Sequence, residues 1–319
     1  MTLTFDDAGP LEDRPLPIDR TPTPGDRVFR TLAVSAGLVS FFIIVIALVM
    51  LTIRSWPAIR PNGLGFVTKG IWAPGTGKFG ILGLLTGTIL IAVLALAIAF
   101  PLAFCTALFI NEYAPRRLRT TLTYAVDFMA ALPSLIVGLW GFFVLQKPLK
   151  GVSKWLADNL SVVPIFKHSK DYSQSLFIAS VAVAIMVLPI VTAVMREIFA
   201  RAPRDVCEAA LALGGTRWGM IRDAILPFGK SGMAGAALLG LGRALGETIA
   251  VSLILTLVYE PKLGVLSQGG GSVAANIALR FAESKLSDQA LLGSGLGLFI
   301  VTLLTNLAAQ RVVQRSRLA

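Results

Sequence analysis

Apolar residues run in six long stretches separated by charged or Gly/Pro-rich connectors: Leu32 to Ile53, Gly80 to Ile110, Thr121 to Gln146, Ser175 to Met195, Gly232 to Val258 and Ala290 to Ala309. Each reaches about 20 residues, the length an α-helix needs to cross a hydrocarbon core of about 30 Å. The pattern predicts an all-α, polytopic membrane protein with six transmembrane helices. The second stretch is long enough to tilt or bend, and Pro101 within it predicts a kink, because proline removes a backbone donor.

Composition agrees with this reading. Of the 319 residues 55% are apolar and only 15% charged, against about 25% charged in a soluble domain. The net charge of +11 would point to nucleic acid in a soluble protein, but here all but one of the basic residues lie outside the apolar runs or at their ends, where a membrane protein must keep charge it cannot desolvate. Cys105 and Cys207 stand far apart, and His168, the single histidine, falls in a connector. A disulfide framework and a histidine metal site therefore lack their parts.

The first 24 residues carry five prolines, and six acids face four arginines up to Arg30. Residues 1–30 read as a disordered tail, followed by a first helix and outer loop (31–79), a core (80–310) and a short C-terminal tail (311–319). The tail is acidic where a secretory signal is basic, so the first apolar run reads as an uncleaved anchor. With alternating sides, the tail, the 111–120 loop, the 196–231 loop and the C-terminus carry 16 Lys/Arg against 12 in the other loops. Arg116, Arg117 and Arg119 crowd one short connector, and Arg311, Arg315 and Arg317 follow the last run. Both termini are expected in the cytoplasm.

The connector between the fourth and fifth runs, residues 200–231, is too polar to span and rich in helix formers. It reads EAALALGGTRWGMIRDAILP from Glu208 to Pro227. This string resembles the EAA loop of ABC importer permeases: Glu208, Ala209, Ala210, Gly214, Leu226 and Pro227 stand at that motif's spacing, and Ala224 replaces its usual isoleucine. The physics suits a docking device. Small alanines permit close approach, Gly214 allows a turn between two short helices, and Trp218 beside Arg217 is an anchor of the kind that dominates interfaces. An amphipathic helix lying on lipid headgroups would share this composition. The chain carries no nucleotide-binding loop of its own. Gly229-Lys230-Ser231 has Ala224 where the first glycine of a phosphate loop belongs and Pro227 inside it, and Gly75-Thr76-Gly77-Lys78 is followed by Phe79 where Ser or Thr is required.

Arg243 is the one basic residue inside an apolar run. About ten residues past the start of its span, it would lie about 15 Å deep. Glu247 follows four residues later, which in a continuous helix puts both side chains on one face, about 6 Å apart at Cβ. Arginine's fork of donors matches a tetrahedral oxyanion, and a carboxylate can accept the proton that phosphate keeps and sulfate has lost. The same pair also suits a proton relay or a structural bridge. Gly242 and Gly246 form a GxxxG step beside it, expected to permit a close helix contact. Asp127 is expected to snorkel to the interface, and His168 to be a solvated loop residue.

The string LGRALGETIAV from Leu241 to Val251 is similar to the hallmark of phosphate-specific transport (Pst) permeases. GDRVFR at 25–30, PLAFCTALFINEYAPRRLR from Pro101 to Arg119 and ALPSLIVGLWG from Ala131 to Gly141 resemble the PstC branch of that family. The resemblance implies a type I ABC importer (MetI-like) permease fold and transport of inorganic phosphate across the inner membrane. It also implies a heterodimer with the paralogous permease PstA, two copies of the ATPase PstB binding ATP and Mg, a phosphate-binding protein PstS, and no cofactor or catalytic residue on this chain. Arg243 and Glu247 match the family's charged pair implicated in phosphate passage, and Glu208 to Pro227 its ATPase-docking loop. Two departures fall on the expected outer side: Gly83 stands where the family often has proline, and Glu260-Pro261-Lys262 where it often has an Asn-containing loop. The competing class, a secondary transporter or channel relaying an anion or proton through Arg243 and Glu247, would carry inverted repeats, and no convincing repeat is present.

Overall fold

The computed structural model describes residues 24–317; residues 1–23, most of the expected tail, lie outside them. Residues 24–49 form one unit and residues 50 onward a second. The helices are α1 (Pro24–Asn62), α2 (Leu82–Tyr113), α3 (Arg116–Ala130), α4 (Ser134–Leu160), α5 (Leu176–Ala200), α6 (Arg204–Ala212), α7 (Arg217–Leu245), α8 (Ile249–Ile254), α9 (Val273–Arg280) and α10 (Lys285–Arg317). Among the described residues six of them, α1, α2, α4, α5, α7 and α10, are long and apolar enough to cross a membrane. The first unit consists of the N-terminal part of α1.

Four boundaries differ from the sequence pattern, each for a local reason. Helix α1 starts at Pro24, so residues 24–30 are helical and not tail; proline suits a first helical turn, and Asp26 there complements the helix dipole. The third apolar run, Thr121 to Gln146, is not one helix. It breaks at Pro133, which is extended (φ −61°, ψ 136°) and disfavours helical geometry in the residue before it. The membrane-length helix is α4, and α3 is a separate amphipathic segment. The fifth run also breaks, as described below. Helix α10 continues through the expected C-terminal tail to Arg317.

The core of the second unit is the pairing of α2 with α5. Ala92, Ala95, Ala99, Ala103 and Ala107 recur every three or four residues along α2 and are fully buried, so the backbones approach closely and pack by dispersion where lipid offers no hydrophobic drive. On α5, Ile178, Ala179, Ala182 and Val187 fill the facing surface. Helix α7 packs on the same pair. A Cβ built at Gly240 would meet Val191, Val187 and Leu96 at 2.7, 3.0 and 3.4 Å.

One end of this unit carries a cap. Strands β1 (Trp72–Ala73) and β2 (Lys78–Phe79) form an antiparallel hairpin. Trp72 stacks on Tyr259 with ring centroids 5.6 Å apart, and the Tyr259 hydroxyl donates to Asn276 Oδ1 at 2.8 Å. The Val273 amide donates to Thr88 Oγ1 at 3.0 Å, tying α9 to α2.

Candidate functional site

The protruding loop is built from α6 and the start of α7. Glu208, Ala209 and Ala210 lie on α6, and their helix stops because Gly214 adopts φ +85°, a left-handed conformation open to glycine. Thr216 then caps α7, its Oγ1 accepting from the Gly219 amide at 3.1 Å. Trp218 is 57% exposed, and Arg217 Nη1 donates to the Glu112 carbonyl at 3.3 Å, joining the loop to the end of α2. The loop is shorter than residues 200–231: Leu226 and Pro227 lie inside α7, not in a connector. The helix tolerates Pro227 because Ile221–Ile225 is a π-type turn, with the Leu226 amide reaching back to Ile221.

A polar cluster at the same end was only partly foreseen. Asp127 is 48% exposed, and its Oδ1 lies 3.5 Å from Arg196 Nη2 on α5. Asn111 donates to the Arg196 carbonyl at 2.8 Å and accepts from Arg119 at 3.0 Å. Cys207, on α6, has its thiol pushed up by burial and by Glu112, Asp205 and Glu208 nearby. His168 sits in an exposed connector, 3.6 Å from Asp158.

The fifth apolar run is two helices. Helix α7 ends at Leu245 and α8 begins at Ile249, so Glu247 stands in the break and is not on one helix face with Arg243. Its Oε1 accepts from the Ala250 amide at 3.3 Å, capping α8, and the residue is 8% exposed. The local cause is Gly-Glu-Thr: a flexible residue, then two whose side chains bond nearby backbone, Thr248 donating to the Gly246 carbonyl at 3.0 Å. Arg243 is exposed, and no hydrogen bond or ion pair to its side chain is found among the described residues. Gly240 packs against Val187 and Val191 midway along α5, so Arg243, one turn on, lies near the middle of the bundle.

Arg243 and Glu247 nevertheless share a cleft of about 440 Å³, lined also by Ser134 and Thr248. Ser134 opens α4 just after the Pro133 break, so two helix interruptions face one space. They are held together where α4 crosses α8: a Cβ at Gly138 would lie 2.7 Å from Ala250 Cα. Among the described residues Gly242 and Gly246 make no close contact with another helix; a Cβ at Gly242 would meet nothing within 4 Å, and one at Gly246 only the end of its own helix. They leave room beside Arg243 instead. Sequence reading missed Ser134 and Thr248, although the proline before Ser134 marked a discontinuity.

Six membrane-length helices, with a two-helix loop between the fourth and fifth of them and a charged helix break, define a multi-pass membrane transport component. The model of the family described as binding-protein-dependent transport system inner membrane component matches residues 103–317. A phosphate transport system permease protein PstC 2 of Mycobacterium bovis is 38% identical over 296 residues, covering 90% of this chain and 91% of its own. A PstC of Haemophilus influenzae is 33% identical over 296 residues, covering 91% and 93%. Among solved structures, a chain of a bacterial alginate ABC transporter aligns with TM-score 0.56 at 18% identity, covering 91% of this chain and 96% of that one. A chain from inward-facing structures of the MetNI methionine ABC transporter aligns with TM-score 0.54 at 15% identity, covering 73% and 94%. The chain belongs to the binding-protein-dependent transport system inner membrane component family and has the MetI-like ABC importer permease fold.

Proposed function

We propose that this chain is the permease subunit that carries inorganic phosphate across the cytoplasmic membrane. In this reading it pairs with a PstA-type permease above two PstB-type ATPase subunits and receives phosphate from a PstS-type binding protein. The observation that carries the reading is Arg243: an arginine near the middle of the helix bundle, without a side-chain partner among the described residues, in one cleft with a buried carboxylate. An arginine there is costly unless it meets protein, water or an anion. Its planar donors fit phosphate oxygens, and Glu247 can take up the hydrogen of the monoprotonated ion. The relatives named for phosphate transport agree with that chemistry.

The chain's own residues supply binding and motion. Helix α6 and Trp218 face the cytoplasm in this reading and dock the ATPase, which holds ATP and Mg. Arg217, bonded to the end of α2, carries the displacement into the bundle, and both termini lie on the same side. The break at Gly246–Thr248 lets α7 and α8 move separately, so the Arg243 cleft can open to one face at a time.

The test is ATP-driven uptake of radiolabelled phosphate by the whole complex in proteoliposomes, with ATP hydrolysis and subunit recovery followed in parallel. Arg243→Gln is expected to abolish uptake and Glu247→Gln to reduce it, both with assembly intact. Uptake at the wild-type rate in both variants would remove the pair from the pathway.

A further inference from the structure

Arg243 forms part of the wall of two clefts. Beyond the one it shares with Glu247, a second of about 630 Å³ lies between α5, α7 and α10, lined by Ile190, Leu238, Leu239 and, from α10, Asn306 and Gln310. Leu238 and Leu239 precede Arg243 on α7 by about one turn, whereas Glu247 and Thr248 follow it. The two clefts therefore lie on opposite sides of the guanidinium along the bundle, the second toward the α6 end.

Asn306 and Gln310 stand one helical turn apart, on the face of α10 that lines this cleft, and no hydrogen bond from either carboxamide is found among the described residues. Asn306 lies within the membrane-length stretch of α10, which ends at Ala308, and Gln310 just beyond it; an amide without a protein partner inside that stretch calls for one, since hydrocarbon satisfies neither its donors nor its acceptors. The chemistry of both side chains complements monoprotonated phosphate: the NH2 groups donate to its oxygens and a carbonyl accepts its hydrogen. No carboxylate lines this cleft to repel an anion. Neutral donors also hold an anion loosely, which suits release.

We propose that Arg243, Asn306 and Gln310 form a second oxyanion station on the exit side, reached when the Arg243 side chain swings from the Glu247 cleft into the α10 cleft. The proposal rests on the reading of Arg243 as part of the phosphate path. It assigns α10 a substrate contact that the sequence pattern alone did not suggest.

The test uses the whole complex in proteoliposomes with radiolabelled phosphate, reading uptake per ATP hydrolysed and subunit recovery. The Asn306→Leu, Gln310→Leu double variant is expected to lower uptake per ATP about tenfold, the scale of losing a hydrogen bond to a charged group, while binding-protein-stimulated hydrolysis persists. Asn306→Asp, nearly isosteric, should fall at least as far, because the new carboxylate captures Arg243 and repels the anion, and Asn306→Gln should retain most uptake. Wild-type uptake per ATP in the Leu and Asp variants, with loss in Arg243→Gln, overturns the second station and leaves the Arg243 reading standing. Wild-type uptake in Arg243→Gln overturns both. If the double Leu variant does not assemble, Asn306→Asp decides by the same criterion.

Discussion

The carbonyl oxygen of Tyr259 occupies the space in which Gly83 would carry a Cβ, and the Glu260 backbone follows at 2.9 Å. Gly83 and Glu260-Pro261-Lys262 are the two departures from the permease pattern on the expected outer side. They pack on each other, so they are one change: the loop after α8 descends onto α2 because residue 83 has no side chain to hold it off. Tyr259 is fixed there by Trp72 and Asn276, and its hydroxyl pKa is raised chiefly by burial.

Gly83→Ala is therefore expected to destabilise the cap by about 1–3 kcal/mol, the usual cost of overpacking against atoms that cannot move aside. Thermal unfolding of the purified protein in detergent reads this as a lowered midpoint. Gly37→Ala, in α1 with nothing within 4 Å, is the control; replacing glycine inside a helix should be neutral or stabilising by up to about 1 kcal/mol. Equal behaviour of the two variants would show that the Tyr259 contact does not constrain the loop.

Much of this fold was legible in the chain because the membrane makes hydrophobic length a direct structural signal. All six apolar runs overlap a membrane-length helix, four of them much as expected. The third failed because Pro133 interrupts an apolar run, a signal visible in Leu-Pro-Ser but outweighed there by length. The fifth failed more instructively. Gly246-Glu247-Thr248 breaks the helix through local side-chain to backbone bonds, and hydropathy averages over such a detail. Arg243 was legible as a charge inside an apolar run, whereas its surroundings were not: Ser134, Asn306 and Gln310 line its clefts from helices remote in sequence. The ion pair of Asp127 was not legible for the same reason, since its partner Arg196 is 69 positions away.

That ion pair makes a second prediction. Arg196 is 19% exposed and Asp127 48%, so Asp127→Asn leaves a mostly buried guanidinium without its counter-charge. A loss of about 1–2 kcal/mol is expected, tempered by solvent at the aspartate. Arg196→Met in the Asp127→Asn background should recover part of it, and a double-mutant cycle in detergent unfolding measures the coupling. Additive effects would show that the two side chains do not interact.

Cys207 offers a pH-dependent probe of the loop proposed to dock the ATPase. Burial and the carboxylates of Glu112, Asp205 and Glu208 raise the thiol pKa, so less reactive thiolate is present at neutral pH than for a free cysteine. Alkylation should be slow at pH 7 and rise about tenfold per pH unit until the pKa is reached. Glu208→Gln removes one repelling charge and should shift that curve to lower pH. In the assembled complex the same thiol should label more slowly than in the isolated chain, since α6 is then covered. An alkylation rate unchanged by assembly would place the ATPase contact elsewhere.

Arg217 reaches Glu112 across 105 positions of sequence, its guanidinium bonding the backbone carbonyl at 3.3 Å. Because the acceptor is backbone, the contact reports the position of the α2 end and not the identity of residue 112, and Glu112→Gln should leave it in place. Arg217→Ala removes it. Only about 1 kcal/mol of stability is at stake for an exposed bond of this kind, so the complex should assemble and hydrolyse ATP. What should fall, by about fivefold on that energy, is uptake per ATP hydrolysed, because displacement of α6 no longer pulls α2 with it. Arg217→Lys restores charge but not the planar donor set, and should rescue coupling only in part. If Arg217→Ala lowers hydrolysis and uptake in equal proportion, the residue serves ATPase docking alone, and the link to α2 carries no motion.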